Sequence, residues 1–378
     1  MSALAWEIEA SAANARGDAA LACVFKRAAH LAGESVARWQ RTSGGPFNGS
    51  LSIIKNWFEP SLRWGYEGYS FLTNYNSLPA SMLAAAFMYA DDSIPECSAP
   101  ADVGGFVIEL PEHHLIIANA AGVYAEIETG ADPNYEPAGL HRVHMDTCGI
   151  GAADACVRVN PLLVTSAGPP CGAVGEGGSG GPIAIAPWWA TSRDAPGSRT
   201  LLSAMSYANV SSVVLTPSFS ITANLVEFDL KWELDASGAT VTQHYALSAA
   251  ADGSAPMVAV TSSVALTGPS PATLTRFGMQ LPAFGFDGRT NFTVALDEAA
   301  RTSTVSAPAA PGFGSAVFAV TDTGHNVSLA LGGEPAHVTR NGLMQQVIVE
   351  TGFGTQAPSI TVIIAGASPP AEPLADAA

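Results

Sequence analysis

The chain has 378 residues, with 16 Lys and Arg against 33 Asp and Glu for a formal charge of −17, 48% hydrophobic content and only 13% charged residues. Such a composition can offset chain ordering by burial, which excludes wholesale disorder. Without a basic run anywhere, it also argues against nucleic acid or an anionic membrane surface as a partner, since both are recognised by clustered Lys and Arg.

From about residue 4 to residue 90 the apolar positions follow helical spacing. Leu21, Val24, Phe25, Ala28, Leu31, Ala32 and Trp39 recur at three and four residues, the stripe of an amphipathic helix. A second helix is expected from Ser77, a polar cap, through Pro79 in the first turn to Asp91-Asp92. After Pro100 the period becomes two. In 226–234, Val226, Phe228, Leu230, Trp232 and Leu234 face one way and Glu227, Asp229, Lys231 and Glu233 the other, as in a half-buried antiparallel strand. Asp235-Ala-Ser-Gly then turns the chain into 240–247. Asp287-Gly288, between Phe284-Gly-Phe and 290–296, predicts a further hairpin, and short strands continue through 359–365. No repeat is visible. The fold class expected is α+β: a helical region over 1–95, a large antiparallel β-sandwich over 101–366 and a disordered tail over 367–378.

The opening Met1-Ser-Ala-Leu-Ala-Trp-Glu-Ile-Glu puts acids where an export signal has a basic end, and no stretch reaches the ~18–20 apolar residues of a membrane span. Either the chain is cytoplasmic, or its N-terminus is truncated and the protein is secreted or periplasmic. Five cysteines, Cys23, Cys97, Cys148, Cys156 and Cys171, cannot all pair and show no Cys-x-x-Cys spacing, so they fix neither compartment nor connectivity.

Residues 55–76 are dense in chemistry: Lys-Asn-Trp-Phe-Glu-Pro-Ser-Leu-Arg-Trp-Gly-Tyr-Glu-Gly-Tyr-Ser-Phe-Leu-Thr-Asn-Tyr-Asn. Aromatic faces beside planar hydrogen-bonding groups suit a sugar ring, and the fork of Arg63 suits a carboxylate, which together point to an acidic glycan. Taken singly, Trp57, Phe58, Trp64 and Phe71 each read better as core, and Arg63 as a structural partner of Glu59 or Glu67; the cluster as a whole favours a site.

The pattern Asn-x-Phe-Glu-Pro…Arg-x-Gly-Tyr-Glu-x-Tyr-Ser…Tyr-Asn, on a helical region leading into antiparallel strands, resembles the heparinase II/III-like and alginate-lyase-like polysaccharide lyases. The resemblance continues through Gly104-Gly-Phe-Val-Ile-Glu-Leu, His113-His114, Asn119-Ala-Ala-Gly-Val-Tyr-Ala-Glu-Ile-Glu-Thr-Gly-Ala-Asp132 and Gly139-Leu-His-Arg-Val-His144, about 90 residues in all. It implies an α/α toroid packed with a β-sandwich and cleavage of a uronic-acid polymer by β-elimination. That chemistry needs a group to neutralise the uronate, a base and an acid. Carried over, it makes Tyr69 the first choice for the catalytic tyrosine, with Tyr66 and Tyr75 behind it, and His114 a second proton-transfer group among His113, His114, His141 and His144. Arg63, Asn74 and Asn76 become neutraliser candidates, with Asn56 and Trp64 on the substrate. Only about 90 residues precede the strands, room for three to five helices at ~11–12 residues each, so only part of a toroid is expected. Some relatives hold a zinc; His114, Asp132 and His144 have suitable types, but spacing alone does not make them ligands, and neither metal nor cofactor is expected.

Two other readings stand beside the lyase. A non-catalytic carbohydrate-binding or truncated relative would keep the aromatic segment, and a glycoside hydrolase would need two carboxylates about 5–9 Å apart, for which Glu59 and Glu67 are the evident pair. Gly177-Gly-Ser179-Gly-Gly-Pro182 imitates a serine-protease nucleophile segment but has no acidic residue before Ser179 and no matching His-Cys upstream, so it reads as a loop. Oligomeric state is not fixed by any of these features.

Overall fold

A computed structural model describes residues 2–38, 73–131, 137–146, 158–163, 184–249, 256–267, 272–284, 293–297, 302–306, 316–322, 328–331, 344–351 and 359–366. The expected tail over 367–378, the Asp287-Gly288 turn, the Ser179 loop and most of the aromatic segment lie outside them. The chain divides into two compact units, one built on residues 1–103 and the other on 104–285 and 289–370.

The first unit holds α1 (Ser2–Ala15), α2 (Ala19–Arg38), α3 (Thr73–Tyr89) and the single turn α4 (Pro100–Val103). Gly17, at φ 79°, ends α1, and the Asp18 carboxylate accepts from the Leu21 N–H to cap α2. The helical spacing of α2 holds, but its buried line is Ala22, Lys26 and Ala29, while Leu21 remains 37% exposed. Small alanines set this rotation: Ala22 packs in one cluster with Ala10 and Ala13 of α1, and Lys26 goes inside because Glu7 receives its ammonium at 3.0 Å. α3 starts four residues ahead of the expected Ser77 cap, so Pro79 lies within the helix and leaves the Tyr75 carbonyl without its usual donor. A disulfide joins Cys23 to Cys97. The described helices do not support a toroid.

The second unit is antiparallel throughout its named strands. They are β1 (Phe106–Leu110), β2 (Leu115–Ala120), β3 (Val123–Glu128), β4 (Gly139–Asp146), β5 (Arg158–Leu163), β6 (Ala186–Thr191), β7 (Thr200–Leu201), β8 (Ser212–Ile221), β9 (Leu225–Leu234), β10 (Ala239–Ser248), β11 (Met257–Leu266), β12 (Leu274–Phe284), β13 (Thr293–Asp297), β14 (Thr302–Ser306), β15 (Ala316–Asp322), β16 (Ser328–Leu331), β17 (Met344–Thr351) and β18 (Ser359–Gly366). Three sheets result, in the orders β1-β2-β3-β4-β5, β13-β14-β15-β18-β11-β10-β9-β8 and β16-β17-β12-β6-β7. The protein is thus a mixed α+β chain dominated by antiparallel sheets.

One apolar core takes side chains from all three sheets, including Ile116, Ile127, Leu140, Trp189, Phe228, Trp232, Phe277 and Ile364. β9 alternates as its sequence requires, with Val226, Phe228, Leu230, Trp232 and Leu234 buried. Gly238, at φ 58°, closes the short turn into β10, where a side chain would strain the left-handed backbone. Around Asp287-Gly288 the expectation fails: β12 and β13 belong to different sheets and do not pair. A turn dipeptide fixes a reversal locally, while the partner of each strand is chosen by the core it must cover. The two five-stranded sheets are joined where Leu140 and Ile185 exchange backbone hydrogen bonds at 3.2 and 2.9 Å.

Candidate functional site

The face of the first sheet that points away from the core is built by the complement of the buried alternation. In β3, Val123, Ala125 and Ile127 enter the core, which sends Tyr124 and Glu126 to the other side. The β2–β3 loop has two residues, Ala121 and Gly122, so Asn119 stands opposite Tyr124, and β4 places His144 opposite Tyr124 in turn. Directly opposed residues share a face, so an amide, a phenol and an imidazole form one row over three adjacent strands about 4.8 Å apart. The Tyr124 and His144 ring centroids are 5.7 Å apart.

One step along, Glu126 opposes Arg142, and the register slips between Glu126 and Ile127. That bulge gives β4 an extra residue, His141, and turns it toward the same carboxylate. Glu126 accepts from Arg142 Nη1 at 3.1 Å and 2.8 Å through its two oxygens, from His141 Nε2 at 3.2 Å, and from the Tyr124 hydroxyl. Burial alone would raise the Glu126 pKa. The hydrogen bond from His141, the charge of Arg142 and the hydrogen bond from Tyr124 outweigh it and hold the carboxyl down at about 2. The opposite befalls Tyr124. Burial first, then its bond to Glu126 and the negative charge there, push the phenol far above its ordinary range against the opposing pull of Arg142. Tyr124 therefore keeps its proton, which it shares with Glu126.

Several atoms of this group have no partner. Both side-chain polar atoms of Asn119, which is fully buried, and Nδ1 of the buried His141 make no hydrogen bond, nor does Arg142 Nε. Unpartnered buried polar atoms cost about 1–3 kcal/mol each, so their gathering on one face calls for an explanation. Because Nε2 of His141 faces a carboxylate, it is the donor of that pair, and Nδ1 is the ring nitrogen left without a partner.

His113 and His114 are not on a strand: they lie in the short 3-10 turn Pro111–His113 and at its left-handed cap, where His114 has φ 53°. His114 stacks on Tyr207 with centroids 3.8 Å apart and uses its backbone carbonyl to receive the Thr129 N–H and hydroxyl. Asn74, Tyr75 and Asn76 begin α3, and nothing further is described of their side chains. Asn56, Arg63, Trp64, Tyr66 and Tyr69, with Glu59 and Glu67, lie outside the described residues, as does Asp132. Among the described residues no three His, Cys, Asp or Glu side chains gather as a metal site, and no helix is long and apolar enough to cross a membrane.

The sequence reading missed Asn119, Tyr124 and Glu126. A usable signal existed: alternating Tyr124, Glu126 and Glu128 mark a polar strand face, and a two-residue loop at 121–122 sets Asn119 against Tyr124. The bulge that recruits His141 has no such signature.

No protein-family model matches the chain, and no curated protein matches it. Among solved structures the chain is similar to a heparinase III, with a TM-score of 0.38 and 8% identity, over 92% of this chain and 48% of that one. The chain thus spans about half the length of that neighbour.

Proposed function

We propose that the protein cleaves a uronic-acid-containing glycan by β-elimination, on the strength of one observation: the row Asn119–Tyr124–His144 on the outer face of the first sheet. Elimination removes the proton at C5 of a uronate, expels the O4 substituent and leaves a C4–C5 double bond. The C5 proton becomes acidic enough only when the adjacent carboxylate is neutralised. The Asn119 amide, unpartnered and beside Tyr124, supplies that hydrogen bonding. Arg142 is less free to do so, being committed to Glu126. A histidine takes the C5 proton, either His144 in the row or His141 through Nδ1, and Tyr124, whose hydroxyl turns from Glu126 to the substrate, delivers its proton to the departing O4. The proton returns from histidine to tyrosine before the next turnover, so no external reagent is consumed.

The resemblance of the helical segment supports a second reading, in which Tyr69, with Tyr66 and Tyr75 behind it, is the acid, Arg63 with Asn74 and Asn76 holds the uronate, Asn56 and Trp64 contact the sugar, and His114 assists. Substitutions decide between the two. With alginate, glucuronan, heparan sulfate and chondroitin as substrates, Tyr124→Phe should lower formation of unsaturated product about 100-fold or more, the usual contribution of a positioned acid or base, and one of His144→Ala and His141→Ala should do the same. Full activity in Tyr124→Phe together with loss in Tyr69→Phe moves the chemistry to the helical segment. Glycan binding without product in the wild type leaves a carbohydrate-binding protein.

A further inference from the structure

Asn209-Val210-Ser211 is one of four Asn-x-Ser/Thr triplets in the chain, the acceptor pattern for N-linked glycans when the middle residue is not proline. The triplets headed by Asn48, Asn291 and Asn326 lie outside the described residues. Such triplets arise often by chance in a chain rich in Ser and Thr, so the place in the fold decides what each can do. Asn209 ends the 3-10 turn Tyr207–Asn209, in the connection between β7 and β8, and is exposed. The turn is firmly held. The Ala131 N–H donates to the Met205 carbonyl at 2.7 Å, the Asn209 N–H donates to the Ser206 carbonyl at 2.8 Å, and Tyr207 stacks on His114. Among the described residues the Asn209 carboxamide makes one local hydrogen bond, from Nδ2 to Ser206 Oγ at 3.2 Å. A carboxamide nitrogen has two hydrogens, so one remains for that bond when a sugar replaces the other.

Three further features bear on this position. Cys23 and Cys97 are joined in a disulfide, and such bonds persist in secreted and lumenal proteins, the class that also receives N-linked glycans. Ser211 donates its hydroxyl to the Glu233 carbonyl at 2.8 Å and accepts the Asp235 N–H at 3.1 Å. The folded turn thus occupies the hydroxyl that the acceptor pattern requires, so attachment has to precede the pairing of β8 with β9. The third feature is β8 itself. It begins three residues after Asn209, runs for ten residues at the end of the eight-stranded sheet and leaves Val214 and Ile221 exposed. A long edge strand with exposed apolar side chains is a template for pairing with another chain unless something blunts it. Pro217, within β8, withholds one N–H from that edge. A hydrated, branched group at the entry to the strand would cover more of it.

We propose that Asn209 is an N-glycosylation site whose glycan shields the edge of β8 from pairing with a second copy of the chain. The sugar donor is an oligosaccharide carried on a polyprenyl diphosphate. A bond forms between Asn209 Nδ2 and C1 of the first sugar, the bond from C1 to the phosphate oxygen breaks, one amide proton is released, and the polyprenyl diphosphate leaves with the bonding electrons. Neither oxidant nor reductant takes part. The inference is independent of the elimination reading and is tested without turnover. Tryptic mass mapping of the full chain, purified from the cells that make it, reads the peptide 200–231, which contains no other acceptor triplet. That peptide should carry a glycan mass that N-glycanase removes. When the chain is secreted from a eukaryotic host, Ser211→Thr should keep the glycan and Asn209→Gln should lose it. N-glycanase treatment of the folded wild type should raise self-association severalfold in light scattering at equal concentration; this arm reads the edge role even if Asn209→Gln fails to fold. An unmodified 200–231 peptide in protein whose Cys23–Cys97 bond is intact overturns the site. A glycan at Asn209 whose removal leaves self-association unchanged overturns the shielding of β8.

Discussion

Replacing Glu126 by Gln keeps the shape of the side chain and removes the charge on which Arg142, His141 and Tyr124 converge. The carboxyl titrates at about 2 against an ordinary 4.5, a difference equivalent to about 3 kcal/mol in favour of the ionised folded state. Its side chain retains 12% exposure, and solvent screening brings the expected loss to about 2 kcal/mol at neutral pH. A folded pKa below the unfolded one stabilises above the unfolded value, and that contribution disappears as the pH falls toward the folded value. The gap between wild type and Glu126→Gln should therefore be full at pH 7, begin to close near pH 4.5 and vanish by about pH 2. Urea unfolding of both proteins at a series of pH values measures the gap, and taking the difference cancels the other carboxylates. Equal stability at pH 7, or a gap that persists at pH 2, refutes the assignment of Glu126 as the ionised centre of the cluster.

Further expectations concern neighbouring features. Tyr124→Phe removes one of several donors to Glu126 and should cost only about 1 kcal/mol of stability, so a large loss of turnover with a nearly unchanged thermal midpoint separates chemistry from folding. Cys23 and Cys97 close a loop across 74 positions; by the chain-entropy estimate, Cys23→Ser costs up to about 4 kcal/mol, read as a lower thermal midpoint that added reductant does not lower further. His114→Ala keeps the left-handed φ and loses the stack on Tyr207, at a cost of about 1 kcal/mol. His114→Gly recovers much of that by relieving the backbone, so Gly should be the more stable of the two in denaturant unfolding. A drop in turnover in His114→Gly out of proportion to stability puts His114 in the chemistry.

What the residues disclosed in advance follows from how local each feature is. β9 could be read outright because its alternation is complete over nine residues and one face must be buried. α2 was legible as a helix, but not in its rotation, because alanines pack closer than leucines and Lys26 was buried by a partner, Glu7, on another helix. The failure at Asp287-Gly288 has the same origin: pairing partners come from the shared core. The outer row was half legible, since the short loop at 121–122 fixes Asn119 against Tyr124, whereas His144 and His141 arrive through a register with a bulge in it. His114, singled out by type and neighbourhood, occupies a turn whose left-handed backbone nothing in the pattern announced.

The central claim is that bond cleavage proceeds by elimination rather than hydrolysis, and the products carry the answer. Digesting a uronate polymer in water enriched in oxygen-18 and recording mass and ultraviolet absorbance distinguishes the two chemistries directly. Elimination predicts fragments with a conjugated double bond and no oxygen from solvent. Saturated fragments that have gained a labelled oxygen contradict it and transfer the reaction to a pair of carboxylates.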